Sequence, residues 1–239
     1  RGTIGGQKDD GLTPFEILRY ASAYAFWLKR NHKEAKVVIG RDARISGEML
    51  TRIVSGGLMG AGVHVIDLGL STTPTVEMAV KDFKAQGGII LTASHNPKQW
   101  NALKMLNSEG EFISAQVGAE ILEIGETIEE VSYPEVDELG TYAFEKYKEK
   151  HFEHIINLDL VDVEAIKAAK FKIVVDGINS SGSIFIPELL KAIGVEDVIV
   201  INEEPHGRFA HNPEPLPENL SELANTVKRE EADLGISVD

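Results

Sequence analysis

The sequence predicts an α/β chain of two consecutive three-layer α/β/α domains, each with a largely parallel, mixed sheet, and three observations lead there. Short apolar runs of strand length alternate with longer stretches of helical period, which implies right-handed crossovers and sheets covered on both faces. An acidic stretch without sustained period, Thr127 to Thr141, contains Tyr133-Pro134 and interrupts the alternation once, after which it restarts. A chain of 239 residues with 43% apolar content exceeds one layer unit and can bury two cores. The expected domains are residues 1–135 and 136–239, the second stopping short at its C-terminus.

Element by element, Thr13-Pro14-Phe15-Glu16 has capping-box spacing with proline at the first helical position. Phe15, Leu18, Ala21, Ala25 and Leu28 then recur at helical intervals, so a helix is expected from Pro14 to Arg30. Lys36 to Gly40 reads as a buried strand, Gly47 to Gly60 as a helix, Val63 to Leu68 as a strand and Thr75 to Phe83 as a helix. The strand Gly88 to Thr92 leads into a loop, Ala93 to Ala102, followed by a strand at Lys104 to Leu106 and a helix from Ser114 to Glu126. Beyond the acidic linker, helical stretches are expected over Ala143 to Asn157 and Asp162 to Ala169. A strand Lys172 to Val175, a loop Asp176 to Ser180, a helix to Gly194 and a strand Asp197 to Ile201 then restart the pattern. A proline-rich loop to Pro217, a helix Glu218 to Glu230 and a strand Asp233 to Val238 complete it.

Charge narrows the function. Twenty-four Lys and Arg against thirty-eight Asp and Glu give a formal charge of -14, which repels nucleic acid and anionic membrane surfaces; neither is expected as a partner. A small anionic substrate is compatible with that charge, because a few local cations and backbone N–H groups suffice to hold a phosphate. The chain has no cysteine, so disulfides and thiolate metal sites are excluded and a cytoplasmic setting is expected. No apolar run approaches the roughly 20 residues that span a bilayer, and no signal-peptide pattern opens the chain. With Arg1 first and a strand-like run cut at Asp239, the chain reads as part of a longer protein.

Thr92-Ala93-Ser94-His95-Asn96-Pro97 directly follows an apolar strand, and in open α/β sheets ligands bind beyond the carboxyl ends of strands. Ser94 there is a candidate nucleophile; the same residues also fit a polar turn whose Ser94 and Asn96 satisfy backbone groups. Arg41, Asp42 and Arg44 follow the Lys36–Gly40 strand at its carboxyl end and read as a supporting network that holds loops and charge in place. His151 and His154 sit three apart on an expected helix without a metal-ligating partner and read as a solvated face. His211-Asn212-Pro213 repeats part of the Ser94 motif with Ala210 in place of the serine, so it supplies no nucleophile. A serine hydrolase would need a base and a strained elbow around Ser94, which the sequence does not provide.

Thr92 to Pro97, followed by Asn101 and Lys104, resembles the signature of the α-D-phosphohexomutase superfamily, which comprises phosphoglucomutases, phosphomannomutases and phosphoglucosamine mutases. Arg1 to Gly6, Gly40 to Gly47, Val174 to Gly177 and Gly207 to Pro215 resemble further landmarks of that family in the same order. The resemblance implies that Ser94 carries the transferable phosphoryl group, that Arg1 and Lys104 surround it, and that Lys104 can also carry a proton. It further implies that His95 assists, and that Asn96, Arg41, Asp42 and Arg44 support the site. Mg2+ would bind the phosphoserine at Ser94 and an aspartate loop whose first member is Asp239. The substrate would be a phosphorylated hexose, with a hexose 1,6-bisphosphate as activator and intermediate. The family's remaining metal-loop aspartates and two C-terminal domains lie beyond this chain, so an inactive fragment is expected. A non-catalytic phosphosugar-binding fragment and a serine hydrolase are the alternatives.

Overall fold

The computed structural model describes residues 1–6 and 11–238, which form two compact units. The first comprises Arg1–Arg41, Ser46–Thr92 and Gln99–Lys146; the second comprises Asp42–Ile45, Ala93–Lys98 and Tyr147–Asp239.

The first unit contains, in chain order, β1 (Gly2–Thr3), α1 (Pro14–Lys29), β2 (Ala35–Arg41), α2 (Gly47–Gly60), β3 (Val63–Leu70), α3 (Thr73–Asp82), β4 (Gly87–Leu91), β5 (Trp100–Asn101), β6 (Leu103–Leu106), α4 (Ala115–Glu126) and β7 (Tyr142–Phe144). Its main sheet has the order β6-β4-β2-β3-β7, with β6 antiparallel to β4 and the other pairs parallel. The parallel strands β2 and β4 are buried along nearly their whole length, as expected for a sheet sandwiched between helices. Val37, Ile39, Ile89 and Leu91 face α1, α2 and α4, whose Ile17, Leu50 and Ile121 complete that core. On the other face Val76 and Val80 of α3 close on Gly40 and Gly88, where the missing Cβ atoms let the helix approach.

Helix α1 starts where the capping pattern places it, with the Glu16 N–H donating to Thr13 Oγ1 at 3.3 Å. Its buried stripe keeps the expected Ala21, Ala25 and Leu28 and departs from expectation in the first turns. Phe15 is 81% exposed and Leu18 is also exposed, while Ile17, Ala21, Tyr24 and Leu28 are buried. Both sets have helical spacing; the sheet selected the one that carries Tyr24, whose hydroxyl donates to the Leu106 carbonyl at 2.6 Å.

Two further elements differ. The expected loop 93–102 contains β5, which pairs antiparallel with β1 through Thr3 and Trp100. The stretch expected to be helical from Ala143 instead opens with β7, which extends the first sheet by pairing parallel with β3. Three residues are too few to show a period, and the aromatic pair Tyr142 and Phe144 suits an edge strand. The Tyr142 hydroxyl donates to Asp67 Oδ2 at 2.7 Å, which ties β7 to β3.

The second unit holds α5 (Lys148–Ile156), α6 (Val163–Ala169), β8 (Lys172–Asp176), α7 (Gly182–Ala192), β9 (Asp197–Ile201), α8 (Ser221–Arg229) and β10 (Leu234–Ser237). The strands form a fully parallel sheet in the order β10-β8-β9. Ile173, Val175 and Leu190 form the core on the α7 side, while Leu223 and Val227 of α8 pack on Gly235 of β10. His151, read from sequence as solvated, is buried on α5 beside Phe152, which meets Phe185 of α7 edge-on at 6.2 Å between ring centroids. Each unit is thus a helix-covered α/β sheet, and the sheets are mixed in the first unit and parallel in the second.

Candidate active site

The chain leaves β4 at Leu91 and enters the Ser94 loop through Thr92 and the buried Ala93. Ser94 has φ +53°, in the left-handed region that costs a non-glycine residue about 1–2 kcal/mol, so something must hold it there. Asn96 turns the chain back: its N–H donates to the Ala93 carbonyl at 3.1 Å and its side-chain amide donates to the same oxygen at 2.7 Å.

The larger restraint is Arg44, a fully buried side chain from the segment after β2. Its guanidinium donates to the carbonyls of Ser94 at 2.5 Å, Asn96 at 2.6 Å and Pro97 at 2.9 Å. Asp42 fixes the arginine in turn: one carboxylate oxygen accepts from the Arg44 N–H at 2.9 Å, the other from Nε at 3.1 Å. In a trans peptide the carbonyl and the following N–H point in opposite directions. Drawing the Ser94 and Pro97 carbonyls toward Arg44 therefore turns the N–H groups of His95 and Lys98 the other way. Ser94 is half-buried as a residue, and its Oγ lies 3.3 Å from His95 Nδ1 in an exposed contact. Ser94, His95, Asn96, Asp42 and Arg44 thus stand together in the second unit.

Arg1, Arg41 and Lys104 belong to the first unit. Arg41 is the last residue of β2, paired with Leu91. Lys104 is half-buried on β6, with Nζ 5.9 Å from the Phe112 ring centroid. It also faces Glu77, whose carboxyl burial pushes up in pKa while the Lys104 charge pulls it back only in part. Leu103 and Met105, on the opposite face of β6 from Lys104, line a cavity of about 450 Å³ together with Arg1 and Glu16. Asn101 is fully buried, its amide donating to Ser46 Oγ at 2.9 Å and its oxygen accepting from the Ala102 N–H at 2.8 Å. Asp239 lies outside the described residues.

Sequence reasoning missed one polar pair. Asp176, fully buried at the carboxyl end of β8, accepts from the Ile178 N–H and the Asn202 amide on one oxygen, both at 3.0 Å. Its other oxygen lies 2.8 Å from His211 Nε2, while His211 Nδ1 lies 2.8 Å from the Asn212 carbonyl. Burial pushes the His211 pKa down, but the hydrogen bonds to Asp176 and to that carbonyl, with the charges of Asp176 and Glu222, outweigh it and the net shift is upward. Both ring nitrogens face acceptors, the arrangement that suits an imidazolium. The sequence marked each residue separately, Asp176 as the close of an apolar strand and His211 within the partial copy of the Ser94 motif, but nothing joined the two across 35 residues.

Residues 1–132 match the family model for phosphoglucomutase/phosphomannomutase, alpha/beta/alpha domain I, and residues 149–239 match that for alpha/beta/alpha domain II. The chain belongs to the phosphoglucomutase/phosphomannomutase family. Across all of its length it is 38% identical to a phosphoglucomutase/phosphomannomutase of Thermococcus kodakarensis, covering 52% of that protein. It is 35% identical, again over its whole length, to a phosphoglucosamine/phosphogalactosamine mutase of Sulfurisphaera tokodaii, covering 52% of it. A crystal structure from Thermus thermophilus, assigned as a phosphomannomutase, superposes with a TM-score of 0.84 at 30% identity over 100% of this chain and 52% of that one. The chain therefore spans about half the length of the family members it matches. These relatives do not favour the hydrolase or the binding-fragment alternative.

Among the described residues no group of three or more His, Asp or Glu stands close enough to hold a metal ion. The described residues therefore do not make up a complete Mg2+ site on their own, and Asp239 lies outside them.

Proposed function

We propose that the chain is the N-terminal half of a phosphohexomutase that interconverts hexose 1-phosphates and hexose 6-phosphates through a phosphoserine at Ser94. The observation that carries this reading is the fixed left-handed Ser94, held by three carbonyl bonds to a buried arginine in a loop beyond a parallel strand. Such a loop presents one hydroxyl in a set direction, and phosphoryl transfer depends chiefly on positioning and charge stabilisation.

In the forward transfer the bond between phosphoserine Oγ and phosphorus breaks, and a bond forms from phosphorus to the free hydroxyl of the hexose phosphate. The product is a 1,6-bisphosphate. The hydroxyl's proton is carried away by way of Lys104, and Ser94 Oγ regains a proton through His95, whose Nδ1 lies 3.3 Å away. After the bisphosphate turns around, the reverse transfer restores phosphoserine and releases the isomer. Arg1 is assigned to the charge of the transferring phosphoryl group. Asn96, Arg41, Asp42 and Arg44 hold the loop and its surroundings. Mg2+ is the cation proposed for the whole protein, at the phosphoserine and Asp239. Domain limits of 1–135 and 136–239, glucosamine, mannose or glucose phosphates as substrates, and a cytoplasmic setting complete the reading. No helix among the described residues is long and apolar enough to cross a membrane. The 239-residue chain alone is expected to fold without turning over substrate.

The test is mass spectrometry of the intact parent enzyme during turnover. The peptide containing Ser94 is expected to carry phosphate, and Ser94→Ala is expected to abolish phosphate exchange with the sugar bisphosphate. An unmodified Ser94 in active enzyme, or exchange retained by Ser94→Ala, would end this reading.

A further inference from the structure

The segment Gly207–Pro215 has no role in the transfer described so far, yet part of it packs directly on the arginine that holds the Ser94 loop. Asn179, itself at φ +53°, pins this segment at two points: its carbonyl accepts from the Gly207 N–H at 2.9 Å and its side-chain oxygen from the Ala210 N–H at 3.0 Å. Between those points Gly207 adopts φ +71° and lies so close to the 42–45 segment that a Cβ would collide with the Ala43 carbonyl oxygen. From the same side Ser180 Oγ accepts from the Ala43 N–H at 3.2 Å. Phe209 then sets its ring against the guanidinium, with Arg44 Cζ 5.1 Å from the centroid.

A guanidinium donates only in its own plane, and Asp42 and the three loop carbonyls take bonds from Nε, Nη1 and Nη2. Those bonds survive only while the plane keeps its tilt. A guanidinium carbon held over an aromatic ring is attracted to the ring face and hindered from tilting; an aliphatic side chain of similar bulk does neither as well. We propose that Phe209 is a positioning residue for phosphoryl transfer by Ser94: it fixes the plane of Arg44, which in turn holds the Ser94 loop, and Gly207 permits the approach. The proposal rests on the reading of Ser94 as the phosphoryl carrier.

The experiment uses the intact parent enzyme and measures steady-state kcat and KM with glucose 1-phosphate, mannose 1-phosphate or glucosamine 1-phosphate, whichever it turns over. It adds the single-turnover rate of labelled phosphate leaving the phosphoenzyme. Phe209→Leu is expected to lower kcat and the single-turnover rate about tenfold, between the scales of an exposed and a fully desolvated cation–π contact, with KM unchanged. Phe209→Trp, which restores a ring face, is expected to recover most of that loss. If the leucine variant does not fold, Phe209→Met takes its place, being flexible enough to fill the gap without a ring. A wild-type kcat in the ring-less variant, a rise in KM that accounts for the loss, a loss matched by the unfolded fraction, or no recovery with tryptophan each overturns the proposal. Ser94→Ala in the same assay separates the two levels. If it keeps full exchange, the mutase reading itself fails; if it is dead while Phe209→Leu is normal, only the positioning role fails.

Discussion

Replacing Arg44 by lysine keeps the charge and removes the fork, which makes it a sharp test of what holds the Ser94 loop. The arginine side chain has no exposed surface and donates to Asp42 and to three carbonyls. An ammonium on a shorter stem can serve one or two of those four acceptors. Each hydrogen bond lost from a charged donor is worth about 1.5–3 kcal/mol. The gross loss for two bonds is then about 3–6 kcal/mol, reduced because Ser94 and Asn96 are half-buried and Pro97 is exposed, so water can reach some of the released carbonyls. A net destabilisation of about 2–4 kcal/mol is expected, a large share of the 5–15 kcal/mol that typically stabilises a domain. Urea unfolding of wild type and Arg44→Lys, compared at equal slope, measures it, and limited proteolysis reports whether the 93–98 segment has opened. A shift within about 0.5 kcal/mol, the range of an ordinary surface substitution, together with an unchanged cleavage pattern would show that charge alone suffices.

Two further perturbations probe the frame. A Cβ at Gly87 would collide with the Tyr24 hydroxyl and stand 2.8 Å from the Leu106 carbonyl, so Gly87→Ala is expected to cost about 2–4 kcal/mol through overpacking and a displaced hydrogen bond. Adding Tyr24→Phe removes the colliding hydroxyl, so the double variant should lose less than the sum of the singles in thermal or urea unfolding; strict additivity would contradict the geometry. His211 gives a pH dependence whose sign follows from its raised pKa. Its stabilising contribution is fully present below the unfolded value near 6.5 and is lost as pH rises through the higher folded value. Protection of the 202–217 segment against hydrogen exchange, corrected for the intrinsic pH dependence, should therefore fall above that range. His211→Gln should flatten the response, and a profile unaffected by that substitution would rule out the Asp176 pair as its source.

The strands around the site were legible because each is a short apolar run that needs no partner to be recognised: Lys36–Gly40 and Lys172–Val175 fall within observed strands, and Gly88–Thr92 overlaps one that ends at Leu91. The capping of α1 was legible for a similar reason, since Thr13, Pro14 and Glu16 act within one turn. Its buried stripe was legible at Ala21, Ala25 and Leu28 but not in the first turns, where Phe15 and Leu18 or Ile17 and Tyr24 both fit the period and only packing chooses between them. β7 escaped notice because a three-residue strand is defined by the edge it joins.

The sequence by itself determined the alternating α/β order, the position of the Ser94 loop after an apolar strand, and the motifs that mark the family, since all of these are local patterns a few residues long. Only the tertiary structure decided which side chains hold that loop. Arg44 meets carbonyls about 50 residues away, Phe209 meets Arg44 across a longer gap and His211 meets Asp176 across one of 35 residues, and no periodicity links such pairs. A hydrogen bond or ring contact depends on angstrom-scale placement of two separate backbone segments, which packing sets and composition does not encode.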